Sequence, residues 1–140
     1  MASSATPEAR VRIARIIHAS LMTAVTLFLL VTAWVHRVTP PIALPVPGPL
    51  LRDVGLGFLV ATLLALRLLP GPDAAPAPGQ APDQWRMISQ SRLIVRWAVV
   101  EGACLVNAVI WYISRDRVSL AAAVASLVVL LALRPSRYLE

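Results

Sequence analysis

Glu101 is a single carboxylate near the middle of an apolar stretch that runs from residue 93 to residue 113. A charge at the centre of a bilayer is costly, so such a residue is usually paired, neutralised by a proton or part of an ion path. Three interpretations stay open from the sequence. The carboxyl is protonated and hydrogen-bonded to a neighbouring Thr or Ser, it loads and releases a proton or cation, or it anchors a polar group of a partner subunit.

Other polar residues fall at similar depths in the apolar stretches. At a rise of about 1.5 Å per residue, Glu101 lies roughly 3 Å to the cytoplasmic side of the midplane, level with Thr23, Thr62 and Ser126. His18 lies roughly 9 to 10 Å closer to the cytoplasm, where its imidazole is able to relay protons near neutral pH or simply pack. Glu101, His18 and Thr62 are therefore the candidate ion or proton site.

The other residue types that support chemistry are sparse. Cys104 is the only cysteine, and it falls within an apolar run, which is typical of a small buried residue. The two histidines are not spaced i, i+4 for a metal or haem, and no phosphate-binding loop or nucleophile elbow occurs. The sequence predicts no catalytic residue, no cofactor, no metal site and no enzyme activity.

The elements that carry these residues are predicted from composition and hydropathy. Of the 140 residues, 58% are hydrophobic and only 14% are charged, which indicates a membrane protein. Four apolar runs approach the length of about 20 residues that a transmembrane helix needs. We expect an all-α polytopic membrane protein, a single domain in which four transmembrane helices form a bundle, with helices at about 13–35, 51–69, 93–113 and 118–133.

Proline marks the connections between these runs. Residues 39–49 and 70–84 each contain five prolines, and proline does not continue a helix, so both segments are predicted to be loops. Asp53 and Ser119 are the expected N-caps of the second and fourth helices. Residues 114–117 are too few for more than a tight turn, which predicts an antiparallel hairpin of the third and fourth helices.

Arginine predicts the orientation, because all 13 basic residues are Arg and cytoplasmic loops carry the excess of positive charge. Four lie on one side (Arg37, Arg52, Arg115 and Arg117) and nine on the other (Arg10, Arg12, Arg15, Arg67, Arg86, Arg92, Arg96, Arg134 and Arg137). We therefore expect both termini in the cytoplasm and a location in the bacterial inner membrane. The net charge of +6 indicates topology and attraction to anionic lipid, and no basic segment with interleaved aromatics predicts nucleic-acid binding.

Small residues recur at helical spacing and predict packing surfaces within the bundle or against a partner, since small side chains allow helices to approach closely in lipid. The predicted packing residues are Gly57, Ala61, Ala65, Gly102, Ser119, Ala122 and Ser126.

Two resemblances follow from these motifs. The segment RLIVRWAVVEG, at 92–102, resembles the carboxylate-bearing helix of rotary ATPase c subunits, the proteolipids. That resemblance implies that Glu101 corresponds to the ion-carrying carboxylate and that the loop before this helix is cytoplasmic. Most of the chain is similar to small, uncharacterised four-helix bacterial membrane proteins with an Arg-rich entry, this Glu-Gly pair and a closing motif, here LRPSRYLE at 133–140.

The expected function is that of a small non-enzymatic subunit that packs in the lipid bilayer with other membrane subunits or with itself. The alternative is a proteolipid-like subunit that translocates protons or cations with Glu101.

Overall fold

A computed structural model of the chain describes residues 7–41, 43, 45–72 and 75–135. Within these ranges the protein is all-helical, as expected, and it contains α1 (Pro7–Val38), α2 (Gly48–Leu68), α3 (Pro82–Ser114) and α4 (Arg117–Ala132). The segment 136–140, with Arg137 and most of the closing motif, lies outside the described residues.

Three of the four helices are long and apolar enough to cross a membrane: residues Val11–Val38 of α1, all of α2 and all of α3. The fourth helix, α4, is apolar but has only 16 residues. Its length is about 24 Å, whereas the hydrocarbon layer of a bilayer is about 30 Å thick.

The predicted helix starts were too late. α1 begins at Pro7 rather than near residue 13, α2 at Gly48 rather than 51, and α3 at Pro82 rather than 93. Proline lies in the first turn of both α2 and α3, where its missing N–H removes no helical bond, so the loops end earlier than proline content alone predicted. The first turns of α3 are polar, so the apolar run that begins at residue 93 predicted a helix shorter than the observed one.

The two predicted N-caps were also wrong. α2 is preceded by Pro47, and Asp53 lies inside the helix, exposed and 3.3 Å from the guanidinium of Arg52. The N-cap of α4 is Asp116, whose carboxylate accepts bonds from the backbone N–H and hydroxyl of Ser119 at 2.9 and 3.0 Å. Ser119 is therefore the partner of the cap rather than the cap.

Helix α3 is the centre of the molecule, because it packs against each of the other three helices. α1 and α2 also contact α4, but they make at most a marginal contact with each other and so lie on different flanks of the α3–α4 hairpin. The core lies where α1, α3 and α4 meet, and its largest fully buried side chains are Trp97, Leu93, Leu130, Val25 and Val100.

The two outer helices bury only narrow strips. On α1 the fully or nearly fully buried residues are Ala14, His18, Val25 and Thr32, separated by four and seven positions, which places them on one face. On α2 only Gly55 and Thr62 are buried, again seven positions apart. Most of the apolar surface of α1 and α2 is consequently left uncovered by the chain itself.

Candidate functional site

Glu101 is half-buried, and its carboxyl forms no hydrogen bond or ion pair with any residue that the structure describes. Glu101 lies one turn after Trp97, which contacts both α1 and α4. It is turned about 120° around α3 from Asn107, the residue that faces α2. Glu101 therefore lies away from α2, beside the seam between α3 and α1.

His18 is engaged elsewhere. Its Nε2 lies 3.0 Å from the carbonyl oxygen of Leu130 on α4, and its ring centroid is 5.0 Å from that of Trp97. Because a carbonyl oxygen only accepts, this bond places a hydrogen on Nε2. His18 is thus a buried packing residue with a specific backbone partner.

Thr62 is buried on the face of α2 that also carries Gly55. No hydrogen bond joins any two of Glu101, His18 and Thr62 in the described chain, and α2 is on the flank away from Glu101. The other residues expected at the depth of Glu101 do not reach it either: Thr23 is exposed, and the Ser126 hydroxyl donates to Ala122 O of its own helix at 2.9 Å. The predicted three-residue site is not assembled within one chain.

Several side chains instead donate hydrogen bonds to carbonyl groups at the C-terminal ends of helices. The last carbonyl groups of a helix have no partner within it and must find donors elsewhere. At the end of α4, the Trp97 Nε1 donates to Leu133 O at 2.7 Å, and His18 donates to Leu130 O. Both bonds are buried, so α3 and α1 each supply a donor from within the protein to a carbonyl group at this end of α4.

The end of α2 is bound by two arginines of α3. The Arg96 Nη1 donates to Leu69 O at 3.3 Å, and the Arg92 Nη1 donates to Gly71 O at 3.1 Å. Leu69 is the C-cap residue of α2, and a cation there also interacts favourably with the negative end of the helix dipole. Arg96 therefore fixes α2 to α3 and does not pair with Glu101.

The end of α1 is bound by Arg115, in the turn between α3 and α4. Its Nη1 donates to His36 O at 2.7 Å and its Nη2 to Thr39 O at 2.6 Å. Arg115 has a left-handed backbone, with φ 60°, and the His36 ring stacks on Trp111 with centroids 4.7 Å apart. The tight turn thus holds the C-terminal end of α1 against that of α3.

Asn107 holds α2 at close range. Its Nδ2 donates to Gly55 O at 3.1 Å and to Ala103 O of its own helix at 3.0 Å. A Cβ at Gly55 would lie 2.6 Å from Asn107 Oδ1 and 3.0 Å from Ile110 Cδ1. Only glycine fits this backbone approach.

The predicted packing residues divide into two groups. Ser119, Ala122 and Ser126 of α4 are buried, on the helix that packs most extensively on α3. Gly57 and Ala61 of α2 are exposed, Ala65 and Gly102 are part-buried, and a Cβ at Gly57 or Gly102 would meet nothing within 4 Å. Gly57 and Ala61 of the small-residue stripe of α2 therefore face away from the rest of the chain.

The residues that bind helix ends were missed as functional residues. Their signal in the sequence is weak but present: donors that lie near predicted helix ends, such as Arg115 in a two-residue turn, are expected to find free carbonyl groups. The sequence predicted Gly57 as a packing residue, whereas the structure packs Gly55 against α3. Nothing in the sequence distinguishes the two glycines, because both lie on α2 and only the contact with Asn107 separates them.

No three His, Cys, Asp or Glu side chains of the described residues are grouped so that they could hold a metal ion. No protein-family model, curated protein or solved structure matches the chain.

Proposed function

We propose that this chain is a small integral membrane subunit that completes its polar contacts by packing against a larger membrane partner or against copies of itself. All four helices cross the inner membrane in this proposal, and both termini are cytoplasmic. The observation that carries it is Glu101, a half-buried residue whose carboxyl group no described residue of its own chain satisfies. A polar group in this state is costly in lipid, where no water is available to replace the missing partner.

Two features of the surface support a partner chain. The stripe with Gly57 and Ala61 on α2 is uncovered, and small residues at four-residue spacing allow a second helix to approach closely in lipid. Glu101 lies beside α1 on another flank. A partner, or a ring of copies, contacts one flank for packing and the other for hydrogen bonding.

Two observations support the orientation. One is the distribution of arginine, and the other is the even number of helices, which places both termini on the same side of the membrane. Nine arginines on the side of the termini against four on the other favour cytoplasmic termini. Helix α4 crosses in this proposal although it is short, and the Leu130 and Leu133 carbonyl groups at its C-terminal end are bonded to His18 and Trp97 inside the protein. Backbone groups satisfied in this way are tolerated at membrane depth.

The second candidate is a subunit that carries a proton or cation on Glu101. The same observation favours it, since a carboxyl with no partner in its own chain is free to bind a proton or cation supplied by a neighbouring subunit. In this candidate Glu101 acts without His18 and Thr62, because neither is bonded to it. The two candidates differ in what the carboxyl group must do after assembly.

The test is the mass and composition of the native particle, extracted from its membrane in lipid nanodiscs, for wild type, Glu101→Gln, Glu101→Leu and Asp53→Asn. Asp53 is the matched control, as an exposed carboxylate already paired with Arg52. We expect wild type and Asp53→Asn to form a complex of fixed stoichiometry and Glu101→Leu to lose it. A wild-type particle that contains a single chain overturns both candidates.

Proton flux into proteoliposomes under an imposed potential separates the two candidates. The ion carrier is expected to keep its assembly and lose its flux in Glu101→Gln. The packing subunit is expected to show no flux in wild type, with assembly weakened in Glu101→Gln or retained if a neutral hydrogen-bonding group is sufficient.

A further inference from the structure

A basic cleft lies between the N-terminal ends of α1 and α3. It has a volume of about 450 Å³ and is lined by Glu8, Val11, Arg12, Arg15 and Arg86. We propose that this cleft binds the phosphate group of an anionic phospholipid. The inference rests on the membrane placement proposed above, but it does not depend on what the subunit assembles with.

The charge of the cleft favours an anion, because three guanidinium groups line it against one carboxylate. Guanidinium groups bind phosphate oxygens through two parallel N–H donors, which makes arginine well suited to a phosphate. The Arg86 Nε is buried, so the inner nitrogen of this guanidinium group is packed against the protein. Packing of this kind reduces the conformational entropy lost when the terminal nitrogens bind a ligand.

The depth of the cleft matches a lipid headgroup. Arg86 and Arg115 are 29 positions apart on α3 and its C-cap, which is about 43 Å along the helix. A bilayer with its headgroup regions is about 40–45 Å thick. When Arg115 lies at one headgroup layer, Arg86 therefore lies at the other, and Trp85 beside it is the residue type enriched at that interface.

The surface around the cleft favours a lipid over a free phosphate or an acidic protein segment. Val11 is part of the lining, and Ile16 of α1, the residue after Arg15, is exposed. These residues continue into the apolar surface of α1 that the chain leaves uncovered. A phospholipid satisfies both parts of this surface at once, with its phosphate in the cleft and its acyl chains along α1.

The test measures binding of dioleoylphosphatidylglycerol to the purified full-length protein in detergent micelles, with dioleoylphosphatidylcholine and inorganic phosphate as separate probes. The variants are Arg86→Gln and Arg12→Gln, with Arg52→Gln as the control, since Arg52 is outside the cleft and paired with Asp53. We expect saturable binding of phosphatidylglycerol, about fivefold weaker in each cleft variant and unchanged in the control. Phosphatidylcholine is expected to bind far more weakly.

Three results overturn the proposal. Equal binding of phosphatidylglycerol in wild type and both cleft variants shows that the arginines do not hold it. Inorganic phosphate that competes as well as phosphatidylglycerol assigns the cleft to a free phosphate. Absence of phosphatidylglycerol binding shows that the cleft holds no lipid, and loss of an acidic partner protein from native nanodiscs in Arg12→Gln then assigns it to a protein. If Arg86→Gln does not fold, the exposed Arg12 decides the result.

Discussion

The indole Nε1 of Trp97 donates a hydrogen bond of 2.7 Å to the carbonyl oxygen of Leu133, the C-cap residue of α4. Both residues are buried, so this donor replaces the water that a helix end normally contacts. The same principle holds at α1, bound by Arg115, and at α2, bound by Arg92 and Arg96. Helix α3 and the turn after it thus contribute a donor to the C-terminal end of each of the other three helices.

Trp97→Phe is expected to destabilise the protein by about 1–3 kcal/mol, because it leaves Leu133 O buried without its donor while it preserves an aromatic ring. Unfolding by dodecyl sulfate in mixed micelles measures the change. Trp34→Phe is the control, since Trp34 is 65% exposed on α1. Equal effects of the two substitutions would show that the indole bond contributes nothing specific.

The imidazole of His18 is expected to be the Nε2–H tautomer when neutral, because Leu130 O accepts from Nε2. The ¹⁵N chemical shifts of the two ring nitrogens distinguish the tautomers in a sample labelled at histidine. His36, whose Nδ1 is buried without a partner among the described residues, provides a second histidine for comparison. An Nδ1–H tautomer at His18 would contradict the assigned bond.

Gly55→Ala is expected to destabilise the contact of α2 with α3 by about 1–3 kcal/mol, because the new methyl group would overlap Asn107 and Ile110. Gly57→Ala, two positions away on the same helix, meets nothing within 4 Å and is expected to be neutral or stabilising by about 0.5–1 kcal/mol. Unfolding in mixed micelles compares the two. A reversed order would mean that the other face of α2 packs on α3.

Arg115→Asn is expected to release the C-terminal end of α1. Asparagine tolerates the left-handed backbone at this position, so the substitution removes the bonds to His36 and Thr39 with little backbone strain. The expected loss is about 1.5–3 kcal/mol, with faster hydrogen exchange at the Thr39 amide. Arg117→Asn, at an exposed position on α4, is the control and should leave that amide unchanged.

The proposed orientation predicts which positions an impermeant maleimide labels on intact bacterial cells. In a Cys104→Ala background, Ala43→Cys should be labelled, whereas Ser3→Cys and Ala77→Cys should react only after the cells are permeabilised. Ala43 and Ala77 are exposed in the two loops that flank α2. Labelling of both in intact cells would show that α2 does not cross the membrane.

The helices were predictable from the sequence because hydropathy and proline act locally. Apolar runs indicated all four helices, and proline-rich segments separated the first three. Helix starts were not predictable in the same way. Asp83, Arg86 and Gln90 interrupt the apolar pattern, yet they belong to the first turns of α3. In the proposed membrane placement, this long helix continues past the lipid into the headgroup layer.

The contacts of the candidate site were less predictable because they depend on which helices are neighbours. Depth along each helix placed Glu101, Thr62 and Ser126 at one level, but depth carries no information about direction around the helix axis. Thr62 is on the face of α2 that also carries Gly55 and packs on α3, whereas Glu101 is on the side of α3 near α1. To predict that polar residues of different helices meet, both the depth of each residue and its direction around the helix axis must be known.

The short length of α4 has a consequence for the thickness of the bilayer around the protein. Its 16 residues are about 6 Å shorter than an average hydrocarbon layer, whereas α3 is longer than that layer. In the proposed membrane placement, the chain therefore carries a hydrophobic mismatch at α4, which favours a locally thinned bilayer around the end of this helix. Lipids with shorter acyl chains are expected to gather there, and the protein itself would help to determine the thickness of the membrane in which it functions.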